Sequence, residues 1–146
     1  MEFFSRLIQA LTERHPLHPM LVHFPIGLTG ASCLFILLAL WRKSILLEQV
    51  AFANISLATI AVIAAGVTGM RDNIINYEGA APNANLKIIL ACLLLLITTV
   101  TSISRWRNPG LFEKHLIRWL YVSAYGISFA LAIVLGFLGG VILYGF

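Results

Sequence analysis

Four apolar stretches divide this chain: about Met20 to Trp41, Val50 to Met70, Leu86 to Ile103 and Trp119 to Tyr144. Each is close to the roughly 18–25 residues with which a helix crosses about 30 Å of hydrocarbon. A backbone in lipid must satisfy its own hydrogen bonds, so only helices and closed barrels span. These runs lack a period of two, and four strands are too few for a barrel, so they read as transmembrane helices. Composition agrees. Of 146 residues 60% are hydrophobic and 11% charged, less than half the roughly 25% charge of a soluble domain. The same figures exclude a disordered chain. Cys33 and Cys92 lie inside apolar runs, which excludes a disulfide framework and makes them small buried residues.

The expected fold is all-α: one four-helix transmembrane bundle over residues 1–146, with no repeat, linker or low-complexity tract. Ahead of it, Phe3, Phe4, Leu7, Ile8 and Leu11 keep i, i+3, i+4 spacing, while Arg6, Gln9, Glu13 and Arg14 fall mostly elsewhere around the helix. Residues 1–14 therefore read as a short amphipathic helix lying in the interface. A signal peptide fits less well, because charge breaks the apolar stretch and no small-residue cleavage site follows. The prolines of His15-Pro16-Leu17-His18-Pro19 end this helix.

An even number of spans puts both termini on one side. Arg6, Arg14, Arg71 and Lys87 lie on that side, and Arg42, Lys43, Arg105, Arg107, Lys114 and Arg118 on the other. The richer set is expected to be cytoplasmic, leaving the termini and the 71–85 loop outside a bacterial inner membrane. The pI of about 9.4 and net charge of +4 follow from these bases and suit anionic headgroups. No basic array with interleaved aromatics points to nucleic acid.

Connectivity also decides where polar residues meet. The start of span one, the end of span two, the start of span three and the end of span four share one membrane face. That face collects His15, His18, His23, Arg71, Asp72, Asn73, Glu78, Lys87 and Tyr144. The opposite face holds bases, Glu48, Glu113, His115 and tryptophans. His18 and His23 are five residues apart, roughly 140° around a helix, so they do not share a side. Pro19 suits a first helical turn, and Pro25 loosens the turns that follow. His23, about one turn deep, needs a partner, and Asp72 is the expected one. The candidate polar cluster is His18, His23, Asp72, Arg71 and Tyr144. Against it stands ordinary capping and anchoring at helix ends. Trp41, Trp106, Trp119, Tyr121 and Tyr144 read as interfacial belt residues. Gly27, Gly30, Gly66, Gly69, Gly136, Gly139 and Gly140 read as helix-packing positions, within the bundle or between protomers.

The string His18-Pro19-Met20-Leu21-Val22-His23-Phe24-Pro25-Ile26-Gly27-Leu28 resembles the opening signature of the bacterial family called domain of unknown function 2231. Gly69-Met70-Arg71-Asp72 is similar to that family's Gly-x-x-Asp ending of span two. The segment from Gly136 to Gly145 is similar to its Gly-Gly-x-x-x-Tyr ending of span four. The resemblance covers nearly the whole chain and implies four membrane spans. Family members commonly carry a histidine near the start of span three, where this chain reads Asn85-Leu86-Lys87. That departure weakens any metal or haem site needing that ligand.

The expected function is a non-catalytic accessory or structural subunit of a membrane complex, with electron-transfer complexes among the candidates. Its partners would be the bilayer and either other membrane subunits or further copies of itself. The alternative is a haem- or quinone-binding redox protein using His23 or His18, with haem b as cofactor. Bundle haem normally needs histidines on two helices, and spans two to four contain none. A metal site from His15, His18, His23, Asp72 and Glu78 matches no compact ligand spacing, so no metal is assigned. A transporter lacks an inverted repeat, and an enzyme lacks a nucleophile with a neighbouring base.

Overall fold

The computed structural model describes residues 3–5 and 17–144, with side chains as far as residue 141. Five helices follow one another: α1 Leu17–Leu21, α2 His23–Arg42, α3 Ile45–Tyr77, α4 Ala84–Arg107 and α5 His115–Tyr144. Residues 3–5 are helical as well. The rest of the predicted interfacial helix 1–14, and His15, lie outside the described residues.

Proline sets the first boundary. Pro25 has no N–H to give the carbonyl four residues back, and the helix breaks at Val22, between α1 and α2. The break is shallow, since Val22 N–H still donates to the His18 carbonyl at 3.0 Å. At the far end of α2, Lys43 takes a left-handed conformation (φ 51°) and Ser44 caps α3 by accepting from Leu47 N–H. The α3–α4 turn places Glu78, Gly79 and Asn83 at positive φ. Asn73 braces it, donating to the Gly79 carbonyl and accepting from Ala81 N–H.

The four long helices run alternately up and down. α2 packs on α3, α3 on α4, α4 on α5, and α5 closes the ring against α2. On α3 the buried positions are Glu48, Ala51, Ile55, Ala58, Val62, Ala65 and Asp72, mostly spaced three and four apart as a packed helical face requires. Alanines alternate with Ile55 and Val62, which lets neighbouring backbones approach in lipid. One core layer joins Ile36, Ala39, Ala51, Ile55, Val122 and Tyr125 near the basic end of the bundle. A second, of Val62, Leu94 and Ala132, lies toward the histidine end. Outside, Leu34, Leu57, Ile60, Leu96, Val100 and Phe137 are exposed, and so is Cys92, while Cys33 is only partly buried, against the expectation that both are buried. Apolar surface of that extent on every helix matches lipid and not water, and all four long helices are long and apolar enough to cross a membrane.

The helices are longer than the apolar stretches. α3 has 33 residues, about 50 Å at the helical rise, against a predicted 50–70. Glu48, Arg71, Asp72 and Arg105, placed in connections by hydropathy, are all helical. Their charges are paired inside the fold, so charge does not end these helices.

The glycines divide. A Cβ at Gly30 would touch the Phe129 ring at 3.0 Å, one at Gly69 the His18 ring at 2.9 Å, and one at Gly136 the Ile26 side chain at 2.9 Å. Gly139 faces Lys87 Nζ at 4.0 Å. Gly27, Gly66 and Gly140 have nothing within 4 Å among the described residues, so packing among those residues does not account for them.

Candidate functional site

At the histidine end, α1 is docked on α3 by one residue. The first amides of a helix lack intrahelical partners, and in α1 the backbone N–H of His18 donates to Asp72 Oδ2 at 3.0 Å. Pro19, next in line, has no N–H to satisfy. Asp72 is buried, and its other oxygen accepts from Arg71 Nη1 at 3.1 Å. The His18 ring lies on α3, with Nδ1 2.9 Å from the Ala65 carbonyl. A carbonyl only accepts, so Nδ1 carries a proton, and the ring in its neutral form has its lone pair on Nε2. Gly69 lies one turn beyond Ala65, and any side chain there would strike the ring. Gly69-Met70-Arg71-Asp72 is thus a seat: Gly69 admits the imidazole, and three residues on Asp72 holds the α1 backbone.

This geometry corrects the expected partner of Asp72. His18, Arg71 and Asp72 come together, but His23 is exposed and forms no hydrogen bond or ion pair among the described residues. The break at Val22 turns His18 inward and leaves His23 on the outer surface, in keeping with their angular separation. The side chain of Tyr144 lies outside the described residues. His23 as a cofactor ligand therefore gains no supporting neighbour among the described residues. Among the described residues no three His, Cys, Asp or Glu side chains cluster as a metal site would require.

The basic end holds a second constellation, which sequence reasoning left in the loops. Glu48 is 0% exposed and Arg105 7%. Arg105 Nε and Nη2 donate to the two Glu48 oxygens at 2.6 and 2.8 Å, the bidentate fork that guanidinium and carboxylate favour. Tyr121 Oη donates to Glu48 Oε1 at 2.7 Å. With its proton committed there, Tyr121 must accept from Tyr125 Oη, 2.6 Å away. The two rings meet edge to face, and the Arg105 guanidinium also covers the Phe52 ring at 5.5 Å. Tyr121 is accordingly a buried partner and not a belt residue, whereas Trp41, Trp106 and Trp119 are exposed as a belt requires. The network ties α3, α4 and α5 at one end, as Asp72 ties α1 to α3 at the other.

Between the ends lies a layer of hydroxyls. Thr29, Ser32, Thr98 and Ser128 are each fully buried. Thr29, Ser32 and Thr98 return their protons to carbonyls of their own helices, as such residues do in membranes. Ser128 Oγ has no partner among the described residues. Chemically, the two charged sites are closed: each buried carboxylate has a cation and a further donor beside it.

A family model described as "Predicted membrane protein (DUF2231)" matches residues 14–146. No curated protein and no solved structure matches the chain.

Proposed function

The chain belongs to the DUF2231 family of predicted membrane proteins, and from that premise we propose that it is a non-catalytic accessory or structural subunit of a larger membrane assembly. One observation carries this reading. Gly27 and Gly66 are exposed on the apolar surface, and a Cβ at either would meet nothing within 4 Å among the described residues. Glycine inside a helix costs roughly 0.5–1 kcal/mol relative to alanine, with no return here from packing among the described residues. In lipid such residues let another helix approach closely. The neutralised carboxylates fit the same role, since they hold the scaffold and leave neither charge free. The assembly would lie in a bacterial inner membrane, with the basic end cytoplasmic and the histidine end outside.

Purification in mild detergent tests this. A companion polypeptide, or a second copy, should migrate with the protein and be lost in Gly27→Leu and Gly66→Leu variants that keep their helical content. A wild-type protein that runs as a lone monomer under native conditions would refute it. Single-cysteine labelling of residues 43 and 79 from outside the cell checks orientation, with only residue 79 reacting.

A second reading, haem or quinone binding, has one observation in its favour. The Nδ1–Ala65 bond leaves His18 Nε2 as the electron-pair donor, the arrangement that orients histidine ligands. A visible absorption band that disappears in His18→Ala would support haem over a purely structural subunit.

A further inference from the structure

On the outer surface near the basic end, α3 and α4 leave a groove of about 400 Å³, lined by Phe52, Ser56, Ser102, Ile103 and Trp106. That volume falls within the roughly 300–1,000 Å³ of small-molecule sites. The lining is apolar except for two hydroxyls. Ser56 Oγ donates to the Phe52 carbonyl. Ser102 Oγ is buried without a partner among the described residues, an arrangement that costs free energy until an acceptor is met.

The position of that hydroxyl says what the acceptor is. Ser102 lies five residues before the end of α4 at Arg107, about 8 Å below it by the helical rise. At that depth a bilayer presents ester carbonyls between headgroup and acyl chain. Ile103, Trp106 and Arg107 share one side of the helix through i, i+3 and i+4 spacing, so a tryptophan and a cation stand at the mouth. Both are exposed. Arg42, Lys43 and Lys114 add positive charge at this end against an exposed Glu113. Glu48 contributes little, because Arg105 neutralises it.

We propose that this groove binds one anionic phospholipid. Its phosphate meets Arg107, an acyl chain lies along Phe52 and Ile103 beneath Trp106, and the Ser102 hydroxyl, shut off from the groove in this structure, turns toward it to give its proton to an ester carbonyl. The charge at the mouth selects the headgroup, while the hydroxyl and the apolar walls hold any glycerolipid.

Native mass spectrometry of the detergent-purified full chain, titrated with phosphatidylglycerol or phosphatidylcholine, tests this. Wild type should carry one phosphatidylglycerol in preference to phosphatidylcholine. Arg107→Gln, at an exposed position, should weaken phosphatidylglycerol about fivefold and leave phosphatidylcholine unchanged, as expected for one basic residue near an anionic surface. Ser102→Ala should weaken both lipids alike. Ser56→Phe, which fills the groove, should abolish both, with circular dichroism confirming the fold. Equal retention of the two lipids by wild type, or an unaltered Arg107→Gln, overturns the proposal. So does a Ser56→Phe protein whose lipid count is unchanged while its oligomeric mass falls, because the groove would then hold another chain's helix.

Discussion

Glu48→Ala removes the acceptor of three short hydrogen bonds, two from Arg105 and one from Tyr121. It leaves a guanidinium 7% exposed with no counter-charge. Summing charged hydrogen bonds at roughly 1.5–3 kcal/mol each overstates the loss, because the alanine variant no longer desolvates a carboxylate. Breaking one side of a buried pair typically costs about 3–5 kcal/mol. Arg105 sits two residues from the end of α4, where it can snorkel and where the helix dipole favours a cation. The lower bound, about 3 kcal/mol, is therefore the expected loss. The paired variant Glu48→Leu with Arg105→Met buries no charge and should recover most of that loss. Reversible unfolding in mixed detergent–dodecyl sulfate micelles compares wild type with both variants, and the singles Glu48→Leu and Arg105→Met close the double-mutant cycle that yields the coupling. A single-variant loss under about 1 kcal/mol, or a double variant as unstable as the single, would refute the assignment of the pair as the clamp of this end.

Four further outcomes follow from the same packing. Gly69→Ala should cost about 1–3 kcal/mol, because the His18 ring is pinned by Ala65 and cannot yield; faster hydrogen exchange at residues 17–21 would report α1 lifting off α3. Gly136→Ala meets only the flexible tip of Ile26 and should cost less than about 1.5 kcal/mol in thermal melts. Gly27→Ala and Gly66→Ala, with open space at each Cβ, should be neutral or stabilising by roughly 0.5–1 kcal/mol in the isolated chain. Ser128→Ala removes a buried hydroxyl that has no partner among the described residues, so its melting temperature should hold or rise, and a clear fall would mean that Oγ is bonded.

The four spans were legible because lipid imposes a single rule on every residue that touches it. The meeting of His18, Arg71 and Asp72 at one rim was legible too, from connectivity alone. Which histidine turns inward was not. Angular spacing separates His18 from His23, but the side facing α3 depends on the break at Val22 and on the opening at Gly69, both tertiary facts. The opposite rim was misread for a different reason. Hydropathy stops a span at its first charge, so Glu48 and Arg105 fell into turns and Tyr121 into the aromatic belt. The usable signal was a pairing. An acid in the first turn of one helix and a base in the last turn of its antiparallel neighbour sit side by side, with tyrosines at i and i+4 on the next helix at that level.

The clamp at the basic end also bears on how the protein is made. Glu48 and Arg105 are separated by 57 positions, roughly 3–11 s of ribosome time at about 5–20 residues per second. Throughout that interval the carboxylate has no mate. Burying an ionised Glu48 alone is costly, so the newborn α3 is expected to keep its acidic end among the headgroups until α4 delivers the guanidinium. Insertion is then a two-helix event, and whatever machinery guides it has to hold one hairpin arm while the other is still being translated.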